Sequence, residues 1–143
     1  MLLREIKTIF HNELDEHYGA NEVSSFFYML IAHYFEMERF ILAIQPKLVV
    51  DTQQETLLFN ALAQLKQERP IQHITGKAHF MDLDFEVNEH VLIPRPETEE
   101  LVRWVLDDAT SFPKDVSILD MGTGSGCIPI SLAKNLPEAK IRA

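Results

Sequence analysis

The sequence predicts an α + α/β chain: a small N-terminal helical bundle, a connecting β-hairpin, then the start of a parallel sheet flanked by helices. Three observations carry this. Apolar residues recur every three to four positions through roughly the first seventy residues. From Ile71 the pattern changes to short alternating runs, and from Val116 it reads strand, glycine turn, helix, strand. The boundaries implied are 1–72 for the bundle, 73–95 for the hairpin connector and 96–143 for the opening of the α/β domain.

In the bundle, Leu3, Ile6, Phe10 and Leu14 mark one apolar helix face. Gly19-Ala20-Asn21 supplies a break and an N-cap, after which Val23, Phe26, Phe27, Leu30, Ile31 and Tyr34 mark a second face. A short helix is expected over Glu38–Ile44, ended near Pro46, which cannot continue the hydrogen-bond ladder. Thr52-Gln53-Gln54-Glu55 reads as a capping box opening a fourth helix, with Leu57, Leu58, Ala61, Leu62 and Leu65 on one side. Nothing in this half has catalytic spacing.

Ile74-Thr75-Gly76 reads as a turn. Lys77–Met81 and Asp84–Val87 read as paired strands with Asp82-Leu83 between them. Val91-Leu92-Ile93-Pro94-Arg95-Pro96 then enters a helix whose first turn tolerates Pro96 and gains from the negative charge of Glu97, Glu99 and Glu100. Leu101, Val102, Val105, Leu106 and Ala109 are its expected buried face. Val116–Leu119 suits a strand buried on both faces, Ile128–Leu136 the following helix, and Lys140–Ala143 the beginning of another strand. A βαβ unit interrupted in its second strand lacks the further strands that a parallel sheet needs, so the sequence is expected to be a fragment of a longer one.

Hydrophobic residues make up 46% of the chain and charged residues 24%, the balance of a globular protein. The net charge of −9 and the scattered basic residues argue against binding a phosphate backbone. The longest apolar stretch, Phe26–Ala32, is far short of the roughly 20 residues of a membrane span, and the N-terminus lacks a signal peptide's apolar block. A cytoplasmic location is the expectation. A single cysteine, Cys127, excludes an internal disulfide framework and any multi-cysteine zinc site. The six histidines include no pair at helical i,i+4 spacing, and no metal site is expected. Cys127 is expected to be a small buried helix residue and Phe26, Phe27 and Tyr34 core, while His79 and His90 suit the surface.

Asp120-Met121-Gly122-Thr123-Gly124-Ser125-Gly126 is the segment that carries chemistry by itself. Alternating glycines after a strand let the backbone turn tightly and approach a ligand with no Cβ in the way, and the following helix offers free amides. Two nucleotide-binding loops fail against it. The dinucleotide fingerprint needs glycine at position 127, which is Cys127, and the phosphate-binding P-loop needs a lysine directly after Gly126. A glycine turn that only lets strand and helix pack is the alternative.

The remaining pattern, acidic-x-G-x-G-x-G, resembles the first motif of Rossmann-like S-adenosylmethionine-dependent methyltransferases. The resemblance assigns cofactor binding to Asp120, Gly122, Thr123, Gly124, Ser125 and Gly126, with Asp120 toward the cofactor's ammonium group. Leu92-Ile93-Pro94-Arg95-Pro96-Glu97-Thr98-Glu99 upstream is similar to the hallmark of the HemK/PrmC family, the N(5)-glutamine methyltransferases of peptide chain release factors. Arg69-Pro70-Ile71-Gln72-His73-Ile74-Thr75-Gly76 and Phe80 match the same family, with His73 where tyrosine is commoner. Arg95, Glu97 and Thr98 are thereby candidates to line the cofactor cleft, and the two prolines a rigid helix entry.

What the resemblance implies is methyl transfer from S-adenosylmethionine to a glutamine side-chain amide in the Gly-Gly-Gln loop of release factors, with the helical bundle docking that protein. The family's Asn-Pro-Pro-Tyr motif, which orients the amide, is expected beyond Ala143; no Asn-Pro pair occurs here. No catalytic residue is therefore assigned, and the 143 residues alone are expected to be inactive. The alternatives are a DNA, RNA or ribosomal-protein amino-methyltransferase, which shares the glycine loop, and a non-catalytic protein-binding fragment.

Overall fold

The stripe Leu3, Ile6, Phe10 and Leu14 becomes the buried face of α1 (Leu3–Tyr18) in the computed structural model, which describes residues 1–143. The chain divides into two units, Met1–Thr75 and Gly76–Ala143.

In the first unit Gly19, at φ 83°, ends α1 and caps α2 (Ala20–Phe35), supplying the break and the cap expected within Gly19-Ala20-Asn21. Val23, Phe26, Phe27, Leu30 and Ile31 form the buried face of α2, and the Phe10 and Phe27 rings meet edge to face at 5.3 Å. The chain leaves α2 through Glu36, itself left-handed at φ 55°, and α3 is shorter than its periodicity predicts, a single turn over Ile41–Ile44. The fourth helix, α4 (Thr52–Lys66), is capped one residue earlier than expected. The Asp51 carboxylate accepts the Gln54 amide hydrogen at 2.8 Å, and the Gln54 side-chain oxygen accepts that of Asp51 at 3.1 Å. Glu55 instead pairs with the N-terminal ammonium of Met1. Leu58, Ala61, Leu62 and Leu65 are its buried residues; Leu57, expected among them, is exposed. Where a turn was expected, α5 (Ile71–Thr75) forms one helical turn, because buried Ile71 anchors it and Pro70 presents its carbonyl to the His73 and Ile74 amides. The Tyr18 hydroxyl donates to the Leu65 carbonyl at 2.8 Å, joining α1 to α4.

The second unit opens with β1 (Lys77–Phe80) and β2 (Leu83–Glu86), antiparallel with Lys77 opposite Glu86 and Phe80 opposite Leu83. The two turn residues are Met81 and Asp82, at φ 49° and 57°, one position before the expected pair. Both being left-handed matches the twist of a two-residue hairpin. The hairpin, expected as a connector, packs within this unit: Phe80 and Phe85 share a core with Val102, Cys127 and Leu132. Next come α6 (Pro96–Asp108), a 3-10 turn at Ala109–Ser111, and β3 (Ser117–Leu119). Then α7 (Cys127–Asn135) crosses to β4 (Lys140–Arg142), parallel to β3 with Ile118 opposite Ile141. This is the βαβ arrangement that the strand–helix–strand pattern predicts. Expected to be buried on both faces, β3 has Leu119 exposed, because the pair has only two strands and its partly covered residues are Ile118 and Ile141. No helix is long and apolar enough to cross a membrane.

Candidate functional site

The glycine loop begins where β3 ends. The Asp120 amide donates to the Arg142 carbonyl at 2.8 Å, extending the ladder one residue past the strand and holding the start of the loop to β4. Three glycines follow at φ 82°, 59° and 81° for Gly122, Gly124 and Gly126, a conformation costly to any residue with a Cβ.

These glycines do different work. A Cβ at Gly122 would meet nothing within 4 Å, and one at Gly124 only the Gly122 carbonyl at 3.9 Å, so the backbone there is open to an approaching group. A Cβ at Gly126 would stand 3.0 Å from Ile130 Cδ1. Gly126 therefore belongs to the packing of α7, which it caps, with its carbonyl accepting the Ile130 amide hydrogen at 3.0 Å. Its own amide donates back to the Thr123 carbonyl at 3.0 Å and closes the turn.

Asp120 carries the ionisable side chain of this loop. Its Oδ2 is buried and has no hydrogen-bond partner. A buried carboxylate oxygen without a donor is an unfavourable arrangement that a cationic or hydrogen-donating ligand group would relieve. Asp120, a strand-end carboxylate, thus stands beside open backbone at Gly122 and Gly124, and Thr123 and Ser125 between the glycines are half-buried. An ammonium-bearing ligand with acceptor groups for the loop amides fits this donor and acceptor set.

The remaining sequence-selected residues lie on α6. Arg95 is its exposed N-cap, and its carbonyl accepts the amide hydrogen of half-buried Thr98 at 3.0 Å. Glu97 is exposed and lines an open groove with Glu100, Leu101, Arg103, Trp104 and Asp107, none of which belongs to the glycine loop. Leu101, expected on the buried face, is 49% exposed, whereas Val102 is fully buried. Cys127 is buried in the core of the second unit, Phe26 and Phe27 in that of the helical unit, and Tyr34 is half-buried against the latter. His79 and His90 are exposed, and His79 Nδ1 lies 3.1 Å from Asp84 Oδ1.

Two residues escaped sequence reasoning. Glu99, read only as a charge near the helix dipole, accepts the Met81 amide hydrogen at 2.9 Å and pairs with Arg103 at 2.6 Å. The Met81 amide first, then Arg103, hold its carboxyl below the ordinary carboxylate range, against an opposing effect of burial. Trp104, the single tryptophan, is 75% exposed. It falls outside the face expected to be buried, but no role was read from it.

Residues 10–76 match the PrmC N-terminal domain family. The whole chain aligns at 45% identity with a release factor glutamine methyltransferase of Flavobacterium psychrophilum, covering 51% of that protein. It aligns over its full length at 36% identity with one of Streptococcus pneumoniae, covering 50% of it. The chain belongs to the HemK/PrmC family. A third member with the same name, from Bacteroides thetaiotaomicron, is 34% identical over 99% of the chain and is covered to 50% of its length. This HemK/PrmC chain therefore spans about half the length of the curated relatives it matches.

Proposed function

We propose that the chain forms the N-terminal part of an S-adenosylmethionine-dependent methyltransferase that modifies the glutamine amide in the Gly-Gly-Gln loop of peptide chain release factors. The observation that carries this reading is the buried, unpartnered Asp120 Oδ2 beside the open backbone of Gly122 and Gly124. The names of the relatives supply the reaction class and substrate.

In this reading Asp120 holds the ammonium group of S-adenosylmethionine, and Gly122 to Gly126 wrap its methionine portion. Thr123 and Ser125 contribute hydroxyls, and Arg95, Glu97 and Thr98 border the cleft. The bound cofactor supplies an electrophilic methyl group. The acceptor is a poor nucleophile, because the amide lone pair is delocalised into the carbonyl. Rate enhancement then comes from aligning that nitrogen with the methyl–sulfur axis, an effect of several kcal/mol. The 143 residues contain no Asn-Pro pair, so the element that orients the amide in the family is not among them. They therefore hold one wall of the cofactor site and transfer no methyl group by themselves. The helical unit, which lacks chemistry of its own, docks the release factor; the protein works in the cytoplasm and binds no nucleic acid directly.

Calorimetric titration of the 143-residue chain with S-adenosylmethionine tests the cofactor assignment. Weak binding that falls by about tenfold or more in Asp120→Asn is expected, the loss of a charge-assisted contact. Binding indifferent to that substitution would overturn it. Turnover on an unmodified release factor by a verified 143-residue sample would overturn the assignment of the chemistry to a motif outside these residues.

A further inference from the structure

The outer face of α6 includes no residue of the glycine loop, and of its side chains only Glu97 enters the methyltransferase reading. Glu97, Glu100, Leu101, Trp104 and Asp107 fall at helical spacing on one side, opposite buried Val102, and with Arg103 they line a shallow, open groove between side chains of the one helix. Leu101 and Trp104 expose 49% and 75% of their surface there. A large exposed indole beside an exposed leucine is the composition of an interface anchor rather than of ordinary surface.

The charges around that anchor specify what suits it. Three carboxylates, of Glu97, Glu100 and Asp107, border the groove. Its one cation, Arg103, is engaged by Glu99 at 2.6 Å. The groove thus presents net negative charge around an open aromatic face, which attracts cations both by Coulomb interaction and through the ring quadrupole. A second copy of this chain, at net charge −9, is repelled from such a face, and a phosphate backbone more so.

We propose that this face of α6 docks a basic segment of a partner protein. A lysine or arginine side chain lies over the Trp104 ring between Glu100 and Asp107, and an adjacent apolar residue covers Leu101. The proposal is independent of the methyltransferase reading, since Glu100, Leu101, Trp104 and Asp107, which carry it, have no part in that reading.

The single tryptophan makes the test direct. The 143-residue chain is titrated with a short peptide of alternating lysine and leucine, following Trp104 emission, with a glutamate–leucine peptide as control. A spectral shift with the basic peptide alone is expected. Calorimetric affinity should fall about fivefold in Trp104→Ala, the scale of one exposed cation–π contact, and further in Glu100→Gln/Asp107→Asn. Neutralising two exposed carboxylates of the helical unit that do not line this face, in Glu16→Gln/Glu22→Gln, should leave it unchanged. Equal weakening by that pair would reduce the effect to general charge attraction and overturn the proposal. An unmoved Trp104 emission would overturn it as well. So would a concentration-dependent shift without peptide accompanied by dimerisation in sedimentation, which would make a second copy the occupant.

Discussion

The Glu99 carboxylate accepts the Met81 amide hydrogen at 2.9 Å and so ties the hairpin turn to the first turns of α6. Met81 adopts φ 49°, a left-handed conformation that a side chain disfavours, and the bond holds the turn where that conformation places its amide. Because the folded-state pKa of Glu99 is depressed, its contribution to stability is present above the ordinary carboxylate pKa and is lost as pH falls through the folded value. Glu99→Gln is therefore expected to lower the melting temperature at pH 7 and to leave a smaller loss between neutral and acid pH than in the parent. Thermal unfolding across pH, with an NMR titration of the carboxyl, checks both.

Asp51, not Thr52, caps α4. Asp51→Ala should cost about 1 kcal/mol, whereas Thr52→Ala should change stability by less than about half of that. Urea denaturation separates the two, and a larger loss at Thr52 would return the cap to the position read from sequence.

Gly122 and Gly126 share nearly the same φ, 82° and 81°, yet differ in what surrounds them. Alanine at either carries a left-handed backbone penalty of about 1 kcal/mol. At Gly126 the new methyl also crowds Ile130 Cδ1 at 3.0 Å. Gly126→Ala should thus be the more damaging, and Ile130→Val, which removes that carbon, should restore the excess in a double-mutant cycle.

Phe27 is fully buried with its ring edge against Phe10. Phe27→Ala should destabilise the helical unit by about 3–5 kcal/mol, read from the denaturation midpoint. Phe40→Ala, at a ring 66% exposed, should cost little.

Local patterning made much of this legible. The stripe from Leu3 to Leu14 is a helix because its spacing matches the helical period, and the glycine loop follows from glycines at alternate positions after an apolar strand. What escaped depends on groups distant in sequence. Asp51-x-x-Gln54 and Thr52-x-x-Glu55 both fit a capping box; the reciprocal hydrogen bonds of Asp51 and Gln54 show which is used, with Glu55 drawn off to the Met1 ammonium. The hairpin turn was misplaced because Met81 carries no left-handed preference and is secured by Glu99, eighteen residues on. For the candidate site, residue types pointed to Asp120, but the burial of its unpartnered oxygen arises from tertiary packing. On α6 the exposure of Trp104 agrees with its place off the expected buried face, whereas that of Leu101, placed on that face, was not legible.

Gly19 is at once the end of α1 and the cap of α2, which leaves the joint between the two helices no slack. Each residue added to the first turn of α2 would swing its apolar stripe by about 100° about the helix axis. Phe26, Phe27, Leu30 and Ile31 would then leave the core together. Length at this joint is consequently constrained as tightly as residue identity: the first unit can absorb an altered side chain near Gly19 more readily than an insertion or a deletion there.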